Sequence, residues 1–178
     1  MRLGLDPHRL RFVDESGINV ALTRLYARAP RGVRAVGSVP QNYGQNLTVL
    51  AALNYGGMRA VMLIPGATDG DVFRSFVERV LLPELKRGDT VVWDNLGAHH
   101  VTGVAEALQM VGVTLHYLPP YSPDYNPMEL AWSKIKTQLR AAGARTRGQL
   151  PCALKSALTQ VSEQDCRAWF KHCGYPLH

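Results

Sequence analysis

Apolar residues fall in short β-prone runs early in the chain, then in runs that alternate with helical stripes. Residues 10–13 (LRFV) read as a strand ending in Asp14-Glu15-Ser16-Gly17, either an edge-strand turn or a carboxylate aimed at a site. Residues 47–53 and 58–64 form two more strands around Asn54-Tyr55-Gly56-Gly57, a hairpin signal. A capping-box spacing over residues 68–71 opens a helix whose stripe is Phe73, Phe76, Val77 and Val80, ending near Pro83. Thr90–Trp93 (TVVW) is wholly apolar, as a strand buried on both faces is. A helix over about residues 99–110, a strand over 113–118, a further helix and one or two C-terminal helices over 147–174 complete the chain. The order predicts an α/β fold: a mixed sheet, antiparallel in its first three strands and alternating α/β afterwards, flanked by helices on both faces. In such sheets chemistry gathers where strands end and the topology switches.

The helix that follows the strand over 113–118 is the most strongly signalled. Pro119-Pro120 stops the preceding strand, and Pro120, Pro123 and Pro127 stiffen the loop after it. Asn126 then serves as N-cap, Pro127 occupies the first helical position and Glu129 the third. Met128, Trp132, Ile135 and Leu139 make the buried stripe, with Glu129 at its edge. An acid at that position is also what a capping box and the helix dipole ask for.

The apolar fraction of 46% and charged fraction of 19% are those of an ordinary globular protein, and 178 residues suffice for one domain with a sizeable core. No apolar run approaches a membrane span, and the first ten residues lack a signal-peptide core. Cys152, Cys166 and Cys173 stand at no metal-like spacing and suit a reducing compartment. The net charge of +6 is unevenly spread. No acid occurs between Ser16 and Thr68, where Arg24, Arg28, Arg31, Arg34 and Arg59 lie, nor between Leu130 and Ser162, where Lys134, Lys136, Arg140, Arg145, Arg147 and Lys155 lie. Such blocks favour a polyanionic partner, or else make a solvated basic face. Residues 18–45, broken repeatedly by proline and glycine, read as a long basic excursion with at most a short strand over 33–36.

Three carboxylates occupy comparable places: Asp14 ends the first strand, Asp94 follows the fourth, and Glu129 opens the helix after the fifth. If the first and fourth strands are neighbours, Asp14 and Asp94 stand side by side and the helix brings Glu129 to them. Three acids so placed repel one another unless cations neutralise them. Oxygen donors without a histidine or cysteine cage select Mg²⁺ or Mn²⁺ over zinc. Two such ions about 4 Å apart suit in-line phosphoryl transfer. Glu15 alternates to the opposite face, Asp124 reads as a loop cap, and Trp93 and Trp132 read as core.

FVDESG around Asp14, WDNLGAHH around Asp94 and LPPYSPDYNPMELAW around Glu129 stand in that order, with 34 residues between Asp94 and Glu129. Over roughly residues 9–139 the chain resembles the DDE transposases of the mariner type, in the bacterial insertion-sequence branch. The resemblance implies an RNase H-like catalytic domain over residues 1–145, with 146–178 as a helical extension of it. It implies two Mg²⁺ or Mn²⁺ ions held by Asp14, Asp94 and Glu129, and cleavage of transposon-end DNA followed by strand transfer to target DNA. Cytoplasmic, nucleoid-associated action in a bacterium goes with it. Asn95 and His99 match the pattern after the second acid as site-supporting residues, although His99 at a helix start is as readily structural. Arg28, Arg31, Arg34, Lys134 and Lys136 are candidate DNA contacts, the two lysines being equally readable as solvated helix positions. The clamp-like excursion stands where family members use a loop for dimer contacts, which implies a homodimer. Members also carry an N-terminal helix-turn-helix portion; fewer than ten residues precede the first strand here, so that portion is expected to be missing from this chain. The rival expectations are a non-transposing RNase H-like nuclease and an inactive remnant that only binds DNA or dimerises.

Overall fold

The structure is a computed structural model that describes residues 6–94 and 101–175. Its centre is a five-stranded sheet of β1 (Leu10–Ile18), β2 (Leu47–Asn54), β3 (Gly57–Pro65), β4 (Thr90–Trp93) and β5 (Thr114–Tyr117), in the order β3-β2-β1-β4-β5. β1–β2 and β2–β3 are antiparallel, while β1–β4 and β4–β5 are parallel. This is the mixed sheet that the order of elements predicts. The hairpin forms with Asn54 Oδ1 accepting from the Gly56 amide at 2.8 Å.

β1 does not end at its acids. It continues through Asp14-Glu15-Ser16-Gly17 because β2 pairs with it from Phe12↔Leu53 to Ile18↔Leu47. The β4 pairing stops at Phe12↔Val92. Asp14 therefore lies in mid-strand, but just beyond the point where its parallel neighbour leaves off.

Alternation along the strands makes two cores. On one face Leu10, Phe12, Val49, Ala51, Leu53 and Val92 pack under α3 (Pro127–Ala142), α4 (Leu150–Thr159) and α5 (Glu163–His172), chiefly through Met128, Trp132, Ile135, Leu154 and Phe170. On the other, Val13, Leu50, Ala52, Val91 and Trp93 pack against α1 (Gly70–Phe76) and α2 (Val104–Met110), through Phe73, Phe76, Val104 and Leu108. Helices cover both faces, which is why β4 is buried at every position. The ion pair between half-buried Arg11 and buried Asp89, at 3.1 Å, ties the start of β1 to the turn before β4 and helps set their register.

Local departures from the sequence expectation have simple causes. Asp69, not Thr68, caps α1, accepting from the Val72 amide at 2.9 Å. After Phe76 the helix widens into a π turn, Val77–Leu81, and tightens into a 3₁₀ turn, Leu82–Glu84. α2 begins at Val104 because Gly103 is left-handed, φ 89°, and cannot continue a helix backwards. Residues 33–36 form no strand, and 19–46 hold neither strand nor helix. α3 stops at Gly143, also left-handed at φ 62°, whose amide reaches the Leu139 carbonyl. Cys152, Cys166 and Cys173 are free thiols. No helix among the described residues is long and apolar enough to cross a membrane.

Candidate active site

Asp14 pairs with Ala51, whose side chain belongs to the core under α3, so Asp14 projects toward that helix. Glu15 pairs with Leu50 of the opposite core and points away, as alternation predicts. Asp94 follows Trp93 directly, two residues beyond Val92, just as Asp14 lies two beyond Phe12, the residue paired with Val92. The two aspartates thus lie just beyond the paired part of one parallel register, Asp14 within β1 and Asp94 directly after β4. α3 starts over the same edge. Asp14, Asp94 and Glu129 line one cleft of about 370 Å³, together with Asn126 and the loop from Leu118 to Pro123.

The three acids differ in environment. Asp14 is buried, Asp94 half-buried and Glu129 exposed. Burial pushes the Asp14 carboxyl up to about 7 from its ordinary 3.8; the charges of Glu129 and Asp94 push the same way, against hydrogen bonds from the Glu15 amide and the Asn126 side chain. Among the described residues, no three His, Cys, Asp or Glu side chains converge closely enough to cage an ion. The acids share a cleft without closing on one point, the arrangement that mutual repulsion favours.

Asn126 joins two elements through one amide. Its Oδ1 accepts from the Met128 amide at 3.1 Å, capping α3, and its Nδ2 donates to Asp14 Oδ2 at 3.0 Å. The helix that carries Glu129 is thereby fastened to the strand that carries Asp14. Sequence reasoning read Asn126 as a cap alone. A signal was present, since asparagine, unlike aspartate, keeps donors for a carboxylate after its oxygen has accepted from the helix.

The remaining candidates are dispersed. Asn95 and His99 lie outside the described residues. Arg28, Arg31 and Arg34 are exposed on the excursion and do not line the acidic cleft. Lys134 turns to α5, its Nζ 2.5 Å from Asp165 Oδ2. Asp165 is in turn held down to about 2 by hydrogen bonds from Lys134 and Ser162, so this lysine serves helix packing. Lys136 makes no ion pair among the described residues. Asp124 sits exposed in the 3₁₀ turn Pro123–Tyr125 and makes no capping hydrogen bond there, contrary to its expected role. Trp93 and Trp132 are core residues, as expected.

A mixed sheet with three acids lining one cleft where β4 ends and α3 begins defines a class, and the sequence agrees with it. Residues 9–151 match the family described as the DDE superfamily endonucleases, and the chain belongs to that family. Its fold is the RNase H-like fold of the mariner transposase Mos1. A pre-cleavage Mos1 transpososome matches with a TM-score of 0.70 and 16% identity over 96% of this chain and 54% of that one. A Mos1 mariner paired-end complex with Mn matches with 0.67 and 17% identity, over 93% of this chain and 53% of that one. The Mos1 catalytic domain alone matches with 0.63 and 14% identity, covering 94% of this chain and 78% of that one. The chain thus spans about half the length of the full transposase chains it matches. None of the curated proteins matches its sequence.

Proposed function

We propose that this chain is the catalytic portion of a DNA transposase, in which Asp14, Asp94 and Glu129 hold the divalent ions that cut transposon-end DNA and join it to a target. The observation that carries the reading is the buried Asp14 carboxyl, raised to about 7 in a cleft it shares with Asp94 and Glu129. That donor set fits a hard cation: all three side chains offer oxygen, and positive charge would relieve both the burial and the repulsion. The ions, Mg²⁺ or Mn²⁺, supply Lewis-acid polarisation of the phosphodiester and a stronger oxygen nucleophile when bound. The chain's own residues do the placing. β1 and β4 fix the two aspartates in one register, and Asn126 holds the start of α3, and with it Glu129, against Asp14.

The partners follow from the same reading. The DNA would be transposon ends and target, inside a bacterial cell, for an element of the insertion-sequence branch. The excursion over 19–46 exposes Leu25, Tyr26, Val36 and Tyr43 beside its arginines, a surface suited to a second copy in a homodimer. A helix-turn-helix portion supplied elsewhere would choose the end sequence. Residues 146–178 belong to the catalytic domain as its helical extension, since Phe170 and Leu154 pack into the core that holds Phe12.

Nicking of supercoiled plasmid tests the reading. Wild type with Mg²⁺ should relax the plasmid, whereas Asp94→Asn and Glu129→Gln should not, while unfolding in chelator no more easily than wild type. Joining of a pre-cut 3′ end to the plasmid separates a transposase from a nuclease that only cuts. Equal nicking by all three proteins, or none by wild type, removes the catalytic assignment. The second outcome would favour an inactive remnant, a reading that draws on the acids' failure to converge.

A further inference from the structure

The loop between β5 and α3 carries an aromatic residue for which neither the core nor the acidic site has a use. Tyr121 lines the cleft of the three acids, yet its side chain is fully exposed (103%) and stabilises no packing. Its backbone is left-handed, φ 55°, a conformation that disfavours any residue with a Cβ and that glycine takes freely. A large ring is therefore held where a glycine would fit better, against both burial and backbone preference. The loop also holds it stiffly. Pro119, Pro120 and Pro123 restrict φ on either side, and Ser122 Oγ donates to the Pro120 carbonyl at 3.2 Å. A ring so placed has one physical asset, an open π-face at the mouth of the cleft. Every nucleobase presents a matching face, and stacking on an exposed aromatic needs no particular sequence.

We infer that Tyr121 is a stacking platform for a nucleobase of an unpaired DNA strand, next to the phosphate presented to Asp14, Asp94 and Glu129. The inference rests on the DNA-processing reading above and adds a base-binding subsite to it. Bases inside a duplex are already stacked on both sides, so the ring takes a base at a strand end or an opened flank. The hydroxyl has no part in this, and phenylalanine should serve as well.

The test is a fluorescence titration with a single-stranded oligonucleotide carrying 2-aminopurine, whose emission falls when it stacks. Wild type and Tyr121→Phe should bind alike and quench the probe. Tyr121→Ala should bind about tenfold more weakly, within the range for loss of one stacked base, and lose the quenching. Tyr121→Gly should behave as the alanine variant does while unfolding no more easily than wild type, because it accepts the left-handed backbone. That separates lost stacking from lost structure. If Tyr121→Ala binds and quenches like wild type while wild type nicks plasmid DNA, the platform is wrong and the transposase reading survives. If wild type neither binds the oligonucleotide nor nicks DNA, both fall together.

Discussion

Replacing Asp14 by asparagine should make the protein more stable, although Asp14 is assigned to its chemistry. The carboxyl is buried and its folded-state value is raised from 3.8 to about 7, which corresponds to roughly 4 kcal/mol of disfavoured ionisation. Asparagine carries no charge to bury, but its amide cannot accept from both the Glu15 amide and Asn126 Nδ2, the two donors that face Asp14. Allowing about 1–2 kcal/mol for that loss, the net gain at about pH 8 should be about 2 kcal/mol. The sign follows from proton binding. Between pH 3.8 and about 7 the folded wild type binds a proton that the unfolded chain has released, so its stability falls as pH rises through that window. Asp14→Asn lacks this loss, so its advantage should shrink as pH falls through the window, vanish at about pH 5 and become a deficit of about 1–2 kcal/mol at about pH 4, where only the lost hydrogen bond counts. Urea unfolding in chelator at several pH values measures it. A variant less stable than wild type at about pH 8, or a difference that does not change with pH, would refute the reasoning. Mn²⁺ should then narrow the difference by stabilising wild type alone.

Three further changes probe the supports of the site. Asn126→Ser keeps a helix cap but loses the donor to Asp14, so it should destabilise by about 1 kcal/mol and weaken Mn²⁺ binding, whereas an equal affinity would deny Asn126 its positioning role. Asp89→Ala leaves the half-buried Arg11 without its charge partner and should cost about 3 kcal/mol in denaturant unfolding; a loss under about 1 kcal/mol would mean the pair does not hold β1 to β4. Phe170→Ala removes a ring stacked edge-on against Phe12, with centroids 5.3 Å apart, and should cost about 3–5 kcal/mol in one cooperative transition. A separate early transition would instead make the C-terminal helices a unit of their own.

Much of this architecture was legible in the chain. The apolar runs marked all five strands, the wholly apolar TVVW anticipated helices on both faces, and Asn126-Pro127 marked the start of α3. Local reading failed where the deciding partner is distant in sequence. Ser16-Gly17 after two acids looks like a turn, and only β2 lying alongside keeps it extended. Lys134 looks like a DNA contact until Asp165, 31 residues on, takes its charge. Asn126 shows its capping role locally, but its bond to Asp14 spans 112 residues. Order and motif single out the three candidate acids, which the fold brings to one cleft; their unequal burial, which raises Asp14, is a property of the assembled sheet and helix.

The central claim is that Asp14, Asp94 and Glu129 together make a divalent-cation site. Calorimetric titration with Mn²⁺, comparing wild type with Asp94→Asn, tests it most directly and needs neither a particular DNA end nor a second domain. The account predicts saturable binding by wild type and loss of most of it in the variant, with the fold unchanged by circular dichroism. Equal binding by the two proteins, or none by wild type, would contradict it.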